Sequence, residues 1–164
     1  MTSVVVVMGV SGCGKTTIGE LLAQRLGWRY VEGDKLHPAA NVEKMRNGVP
    51  LGDEDRRPWL AAIASRIAEL RAEGHGVVVA CSALRKTYRD PLRANRGDVR
   101  FAYLKGDRAT ITERLARRSH AYMPASLLES QFATLEEPGP DENPIVVSIE
   151  RPPAEIIEAI AKSL

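Results

Sequence analysis

Val4 to Met8 is an unbroken apolar run that ends abruptly in Gly9. Similar runs recur, so that strands are predicted at Ser3 to Met8, Arg29 to Glu32, Gly76 to Cys81, Val99 to Lys105 and Pro144 to Ile149, mostly Val-rich and bounded by Gly, Asp or Pro. β-branched side chains favour extended backbone, and a strand apolar at consecutive positions is expected to be covered on both faces. Between these runs the period changes. Ile18, Leu21, Leu22 and Leu26 share one face of a helix that begins at Lys15, and Gly27 stands where a C-terminal stop belongs. Trp59, Ile63, Ile67 and Leu70 predict a long helix from Pro58, a good first-turn residue, to Gly74. Ile156, Ile157 and Ile160 mark a last helix from Pro153 to about Ser163.

This alternation predicts an α/β chain: a doubly wound sheet of about five mainly parallel strands with helices on both faces. The tract "RRSHAYMP" from Arg117 to Pro124 fits neither period, and Leu128, Phe132 and Leu135 resume the helical one. No linker divides the chain, so 1–164 reads as one domain, with Asp34 to Asp55 and Arg117 to Gln131 as insertions.

Composition narrows the class. The 164 residues, 44% apolar and 27% charged, suffice for one domain with a sizeable core. Twenty-three basic against 21 acidic residues leave a net charge of +2, which argues against a dedicated nucleic-acid or membrane surface. The basic clusters Arg85 to Arg100 and Arg114 to Arg118 suit either a small polyanion or a solvated face. The run at Val4 is too short to span a membrane and lacks the flanks of a signal peptide, so a cytoplasmic location is expected. Cys13 and Cys81 have neither metal-ligand spacing nor the number for a disulfide framework and read as reduced thiols.

The sharpest signal lies between the first strand and the first helix. Gly9-Val10-Ser11-Gly12-Cys13-Gly14-Lys15-Thr16, followed by Thr17, fits G-x-x-x-x-G-K-[ST] in the strand-to-helix context that motif requires. Its glycines allow backbone conformations closed to other residues, so successive N–H groups can ring a phosphate at a helix N-terminus. Lys15 then reaches the β and γ phosphates of ATP and the Thr16 hydroxyl can hold Mg²⁺. Cys13 lies near the same helix N-terminus, where a lowered thiol pKa is expected.

GTP-binding proteins need Asp-x-x-Gly and Asn-Lys-x-Asp; neither occurs, and Lys105-Gly106-Asp107 only echoes the second. Larger ATPases end another strand in a metal-holding acid, whereas the third strand here ends in "VVVACSAL". A small phosphotransferase remains, with its acceptor facing the loop across the C-terminal ends of the strands. Asp34 directly follows the second strand, where its carboxylate would orient an acceptor hydroxyl or take its proton, or else cap a turn. Arg56 has the bidentate geometry that suits a carboxylate. His37 before Pro38 reads equally as a loop histidine, and Lys44 and Arg46 as a solvated helix face.

Five segments, "GVSGCGKTT", "GDKLHPAANVEKMRNGVPLGDEDRRPWL", "ACSALRKTYRD", "YLKGD" and "SQFATLEEP", resemble the gluconokinases, ATP-dependent kinases related to shikimate and nucleoside-monophosphate kinases. The likeness runs from Val5 to about Ile149 and implies a three-layer P-loop kinase fold. It implies transfer of the γ-phosphoryl of ATP, with Mg²⁺, to the 6-hydroxyl of D-gluconate. Asp34 would orient the hydroxyl, and His37, Arg56, Ser82 and Arg89 would hold the sugar acid, within an acceptor segment at about 34–56. Similar kinases place a mobile lid before the "SQF" helix, here at about 117–126. Arg114, Arg117 and Arg118 share a helix face ahead of it, and Arg118, then Arg114, would close on the transferred phosphoryl. In "RSHAYMP" the chain departs from the family, which commonly reads nearer to Gly-His-Phe; His120 matches the family histidine. Gln131 and Glu136 fall in the last matching segment, as structural hydrogen-bonding groups or as ligands. Adenine contacts leave little side-chain signature, and position alone points to Arg151 to Pro153. Similar enzymes are often dimers. A kinase for shikimate or another hydroxy acid, and a nucleotide-binding regulator without turnover, are the alternatives; intact Lys15, Thr16 and Asp34 speak against the second.

Overall fold

A computed structural model describes residues 2–94, 96–117 and 125–164. Among the described residues five strands form one sheet: β1 Val4–Met8, β2 Arg29–Glu32, β3 Val77–Ala80, β4 Val99–Lys105 and β5 Ile145–Ser148. Every pairing is parallel, in the order β2-β3-β1-β4-β5, with Val4 opposite Val77 on one side and Val99 on the other. The helices are α1 Lys15–Leu26, α2 Ala39–Arg46, α3 Asp53–Ala72, α4 Lys86–Arg93, α5 Arg108–Ala116, α6 Ala125–Thr134 and α7 Pro153–Ser163. Short 3₁₀ turns occupy Gly33–Leu36 and Pro140–Glu142. Helix α1 packs on α7, and α3 on α4. Right-handed crossovers that run in opposite directions fall on opposite faces, so these two pairs cover the two sides of the sheet.

The apolar runs explain the strand order. Strand β1 lies at the centre, and its five side chains are completely buried, as are those of β3 beside it. The edge strand β5 departs from the expected two-sided burial: Ile145 and Val147 face the core while Val146 and Ser148 face outward. An edge strand carries a covering layer on one side only, so alternation returns there.

Helix α1 buries Ile18, Leu22 and Ala23, but Leu21 sits at the rim, 39% exposed. Helix α3 begins at Asp53, ahead of the expected Pro58. Asp55 Oδ2 accepts the Gly52 N–H at 2.8 Å, and Asp53, Glu54 and Asp55 all occupy the first turn, where negative charge complements the helix dipole. Pro58, so near the start, removes one ladder donor without breaking the helix. The expected stripe of Trp59, Ile63, Ile67 and Leu70 is buried.

Parallel strands bring the segments after β1, β2 and β3 to the same edge of the sheet. At Gly33 the chain leaves β2 so close to β3 that an added Cβ would lie 2.3 Å from the Ala80 carbonyl oxygen. Buried Trp59 Nε1 donates to the Gly33 carbonyl at 2.8 Å, tying α3 to that turn. The position of Asp34 is thus set by a glycine that permits the approach and an indole that holds it.

Candidate active site

The Gly9–Thr17 segment joins β1 to α1 as its motif predicts. Gly14, the residue before α1, has φ +96°, a left-handed conformation that places the helix start against the loop. Lys15 Nζ donates to the Val10 carbonyl at 3.1 Å, so the ammonium is folded over its own loop. The Ser11 N–H donates to Gln131 Oε1 at 2.7 Å, which docks α6 onto the P-loop.

On the other flank, the Thr16 hydroxyl donates to Glu32 Oε2 at 2.7 Å, and the Tyr30 hydroxyl donates to the same oxygen at 2.8 Å. Desolvation and then the Glu32 carboxylate push the Tyr30 phenol up from its ordinary value, so it remains a donor. Glu32 received no role from the sequence. The signal was present, an acid at the end of the strand beside the P-loop, but its pairing with Thr16 needs the sheet.

Lys15, Asp34, His37, Arg56 and Ser82 line one cleft of about 420 Å³. Lys35 and Arg46 also border it, so four cations meet a single carboxylate among the lining groups, a balance suited to an anionic acceptor. Arg56 Nη1 donates to the Leu51 carbonyl at 2.6 Å and to the Tyr88 hydroxyl at 3.1 Å. Tyr88 in turn donates to Asp53 Oδ1 at 2.5 Å, and the Arg56 guanidinium lies 4.9 Å from the Tyr88 ring centroid. Nε and Nη2 of Arg56 have no partner among the described residues. An Nε and Nη2 edge of this kind has the geometry that binds a carboxylate through two parallel hydrogen bonds.

Arg89 is not brought to this cleft. It is fully buried, with Nε and Nη2 donating to the two Glu142 oxygens at 2.8 and 2.9 Å and Nη1 donating to the Ala83 carbonyl at 2.8 Å. Arg93 Nη2 adds a further bond to Glu142 at 2.9 Å. A buried guanidinium must be paired, and this one meets its partner 53 residues away, so it is a structural group. Hydrogen bonds from Arg89, reinforced by Arg93, overcome burial and hold the Glu142 carboxyl down at about 2. Such a group stabilises the fold fully above its unfolded pKa of 4.5, and that stability drains away as the pH falls through about 2. The linkage is worth ~3 kcal/mol. Glu142→Gln, which leaves Arg89 buried opposite a neutral group, is expected to cost about 3 kcal/mol or more at neutral pH and to lower Tm by roughly 10 °C. Urea titrations over a pH series check this: the gap between wild type and variant should narrow toward low pH, and a gap independent of pH would contradict it.

Arg114 also lies apart from the cleft. Its Nη2 donates to the Ile149 carbonyl at 2.7 Å. With Arg117, Arg151 and Pro153 it lines a second crevice of about 290 Å³, reaching Gly12 and Thr17 on the far side of the P-loop. Arg118, His120 and most of the 117–126 tract lie outside the described residues. Glu136 Oε1 accepts the Lys86 N–H at 3.0 Å, a structural contact at the start of α4.

The Cys13 thiol does not follow its helix terminus. Burial raises its pKa, outweighing Lys15 and the loop amides. Cys81 is likewise pushed up to about 12 by burial. Both are free, inert thiols. Among the described residues no group of three or more His, Cys, Asp or Glu side chains is placed to hold a metal, and no helix is long and apolar enough to cross a membrane.

A parallel sheet with a complete P-loop at the end of its central strand, its lysine facing a polar acceptor cleft, defines a P-loop kinase. Residues 4–138 match the family described as an AAA domain. A gluconokinase of Gluconobacter oxydans strain 621H is 50% identical over 157 residues, spanning 96% of this chain and 88% of that protein. A sugar kinase from Janibacter sp. HTCC2649 superposes with a TM-score of 0.93 at 44% identity, covering 99% of this chain and 94% of the other. A gluconokinase from Sinorhizobium meliloti 1021 gives 0.88 at 44% identity, covering 98% and 90%. The chain belongs to the gluconokinase family.

Proposed function

We propose that this protein transfers the γ-phosphoryl of ATP to the 6-hydroxyl of D-gluconate, giving 6-phospho-D-gluconate and ADP. The observation that carries the proposal is the shared cleft: the P-loop lysine, the Asp34 carboxylate and the unpaired edge of Arg56 border one space of small-molecule size.

The P-loop amides and the α1 N-terminus hold the phosphates, and Lys15 leaves Val10 to meet the charge that builds on the transferred group. Asp34 orients the acceptor hydroxyl and takes its proton as the new P–O bond forms. Arg56 holds the acceptor's carboxylate through Nε and Nη2, while His37 and Ser82 meet its hydroxyls. The Thr16 hydroxyl and the Glu32 carboxylate are hard oxygen donors beside the phosphate loop, and they fit Mg²⁺, which takes a few protein oxygens along with phosphate and water. Held there by Thr16 and Glu32, Mg²⁺ would supply positive charge that offsets the negative charge of the phosphates. The crevice with Arg114, Arg117 and Pro153 takes the nucleotide base, planar guanidiniums being suited to a flat ring. Two free cysteines fit a reducing compartment such as the cytosol.

A coupled ADP-release assay with Mg-ATP tests this against gluconate, shikimate, other sugar acids and nucleoside monophosphates. Turnover is expected with gluconate. Turnover with another acceptor alone would overturn the substrate, and tight nucleotide binding with no acceptor-dependent turnover would overturn the reaction.

A further inference from the structure

The buried amide of Asn41, 3% exposed, does not line the cleft but packs behind His37, which does. Its Nδ2 donates to the Asp55 carbonyl at 2.8 Å and lies 3.2 Å from His37 Nδ1. An amide nitrogen carries two protons and accepts nothing, and a backbone carbonyl only accepts. The Asp55 contact therefore identifies which end of the Asn41 amide is nitrogen. The His37 contact is then a donation from Asn41, and Nδ1 is the unprotonated nitrogen. The neutral ring carries its proton on Nε2. An imidazolium would set an Nδ1–H against the Asn41 NH₂.

The ring is also fixed in plane. It stacks on buried Trp59 with centroids 4.0 Å apart and 15° between planes. Nε2 has no partner among the described residues, and the ring borders the acceptor cleft. The charged groups around that cleft are Asp34 and Lys35 on the turn before His37, Arg46 on α2, Arg56 on α3 and Lys15 on α1. Behind it, the Asp55 carboxylate is held by Lys44 at 3.0 Å. Burial first, and then the Arg56 charge, lower the His37 pKa to about 4.

We propose that Asn41 is a positioning residue that holds His37 as a neutral Nε2–H donor toward the hydroxyl oxygens of the acceptor. His37 is thereby removed as a base, and Asp34 is left as the proton acceptor of the cleft. The identity of the acceptor rests on the proposed function; the tautomer does not.

The test is nitrogen NMR of the histidine side chains in ¹⁵N-labelled enzyme without acceptor, with His37 assigned by the signal lost in His37→Gln. The expected pattern is unprotonated Nδ1 and protonated Nε2, unchanged between about pH 5 and 8, the window in which an ordinary histidine titrates. A protonated Nδ1, or a His37 that titrates in that window, would overturn the proposal. In Asn41→Asp the carboxylate accepts from Nδ1, so the proton should move there and titration should enter the window. If Asn41 were merely structural, that variant would lower Tm and leave the His37 pattern unchanged. Should it fail to fold, the wild-type spectrum decides alone. With gluconate, His37→Leu should raise KM roughly tenfold, the loss of about one hydrogen bond. His37→Gln, which keeps a donor near Nε2, should recover most of it. The expected spectrum in an enzyme inert toward gluconate would sink the function and spare the tautomer.

Discussion

Lys15→Ala is expected to lower kcat by about 10³-fold or more, because it removes a fixed positive charge from the place where charge builds on the transferred phosphoryl. The fold should survive. Lys15 is half-buried and, among the described residues, its ammonium makes one hydrogen bond, to Val10 of its own loop, so no core packing depends on it. The loop's shape rests on other contacts, among them the Cys13 N–H to Val10 carbonyl bond at 3.3 Å and the Ser11 N–H to Gln131 bond. Steady-state rates with Mg-ATP and gluconate, together with circular dichroism melting, check this. A folded variant with wild-type turnover would remove Lys15 from the chemistry.

Asp34→Asn separates positioning from metal binding. The amide can still accept a hydrogen bond but cannot take a proton, so kcat should fall by roughly 10² to 10⁴. KM for ATP should change only a few-fold, because Asp34 borders the acceptor cleft while Glu32 is the carboxylate against Thr16. Parallel loss of turnover and of ATP affinity would reassign Asp34 to the metal. Glu32→Gln supplies the contrast, since its effect should depend on Mg²⁺ concentration.

The legible parts of this protein are those in which neighbours in sequence are also partners in space. The P-loop is a contiguous segment whose glycines, lysine and threonine act through backbone that they shape themselves. The strands at Val4 and Val77 were readable because consecutive β-branched residues admit little other than a doubly covered strand, and the one at Val99 because Phe101 to Leu104 is an unbroken apolar run. Asp34 was readable because parallel strands deliver their C-terminal ends to one edge, and any polar group just after a strand inherits that position.

Arg89 shows where such reading stops. It lies in a segment that resembles the family, and a guanidinium near a cleft suits a sugar acid as well as a buried carboxylate does. Glu142, on a short turn far along the chain, decides between them. Arg114 is similar: it shares a helix with its neighbours as the spacing implies, but the bond to Ile149 turns it toward the second crevice and away from the acceptor cleft. The start of α3 was missed because Pro58 looks like a first-turn residue, while the determining contact is the one from Gly52 to the Asp55 carboxylate.

The phosphate loop, the parallel sheet and the position of Asp34 just after β2 can be read from residue order alone, because each follows from local backbone preference and the period of apolar burial. The pairing of Glu32 with Thr16, the withdrawal of Arg89 into an ion pair with Glu142 and the approach of Asn41 Nδ2 to His37 Nδ1 emerge only on folding. Those roles depend on desolvation and on the direction of single hydrogen bonds, and both are properties of what packs around a side chain rather than of its neighbours along the chain.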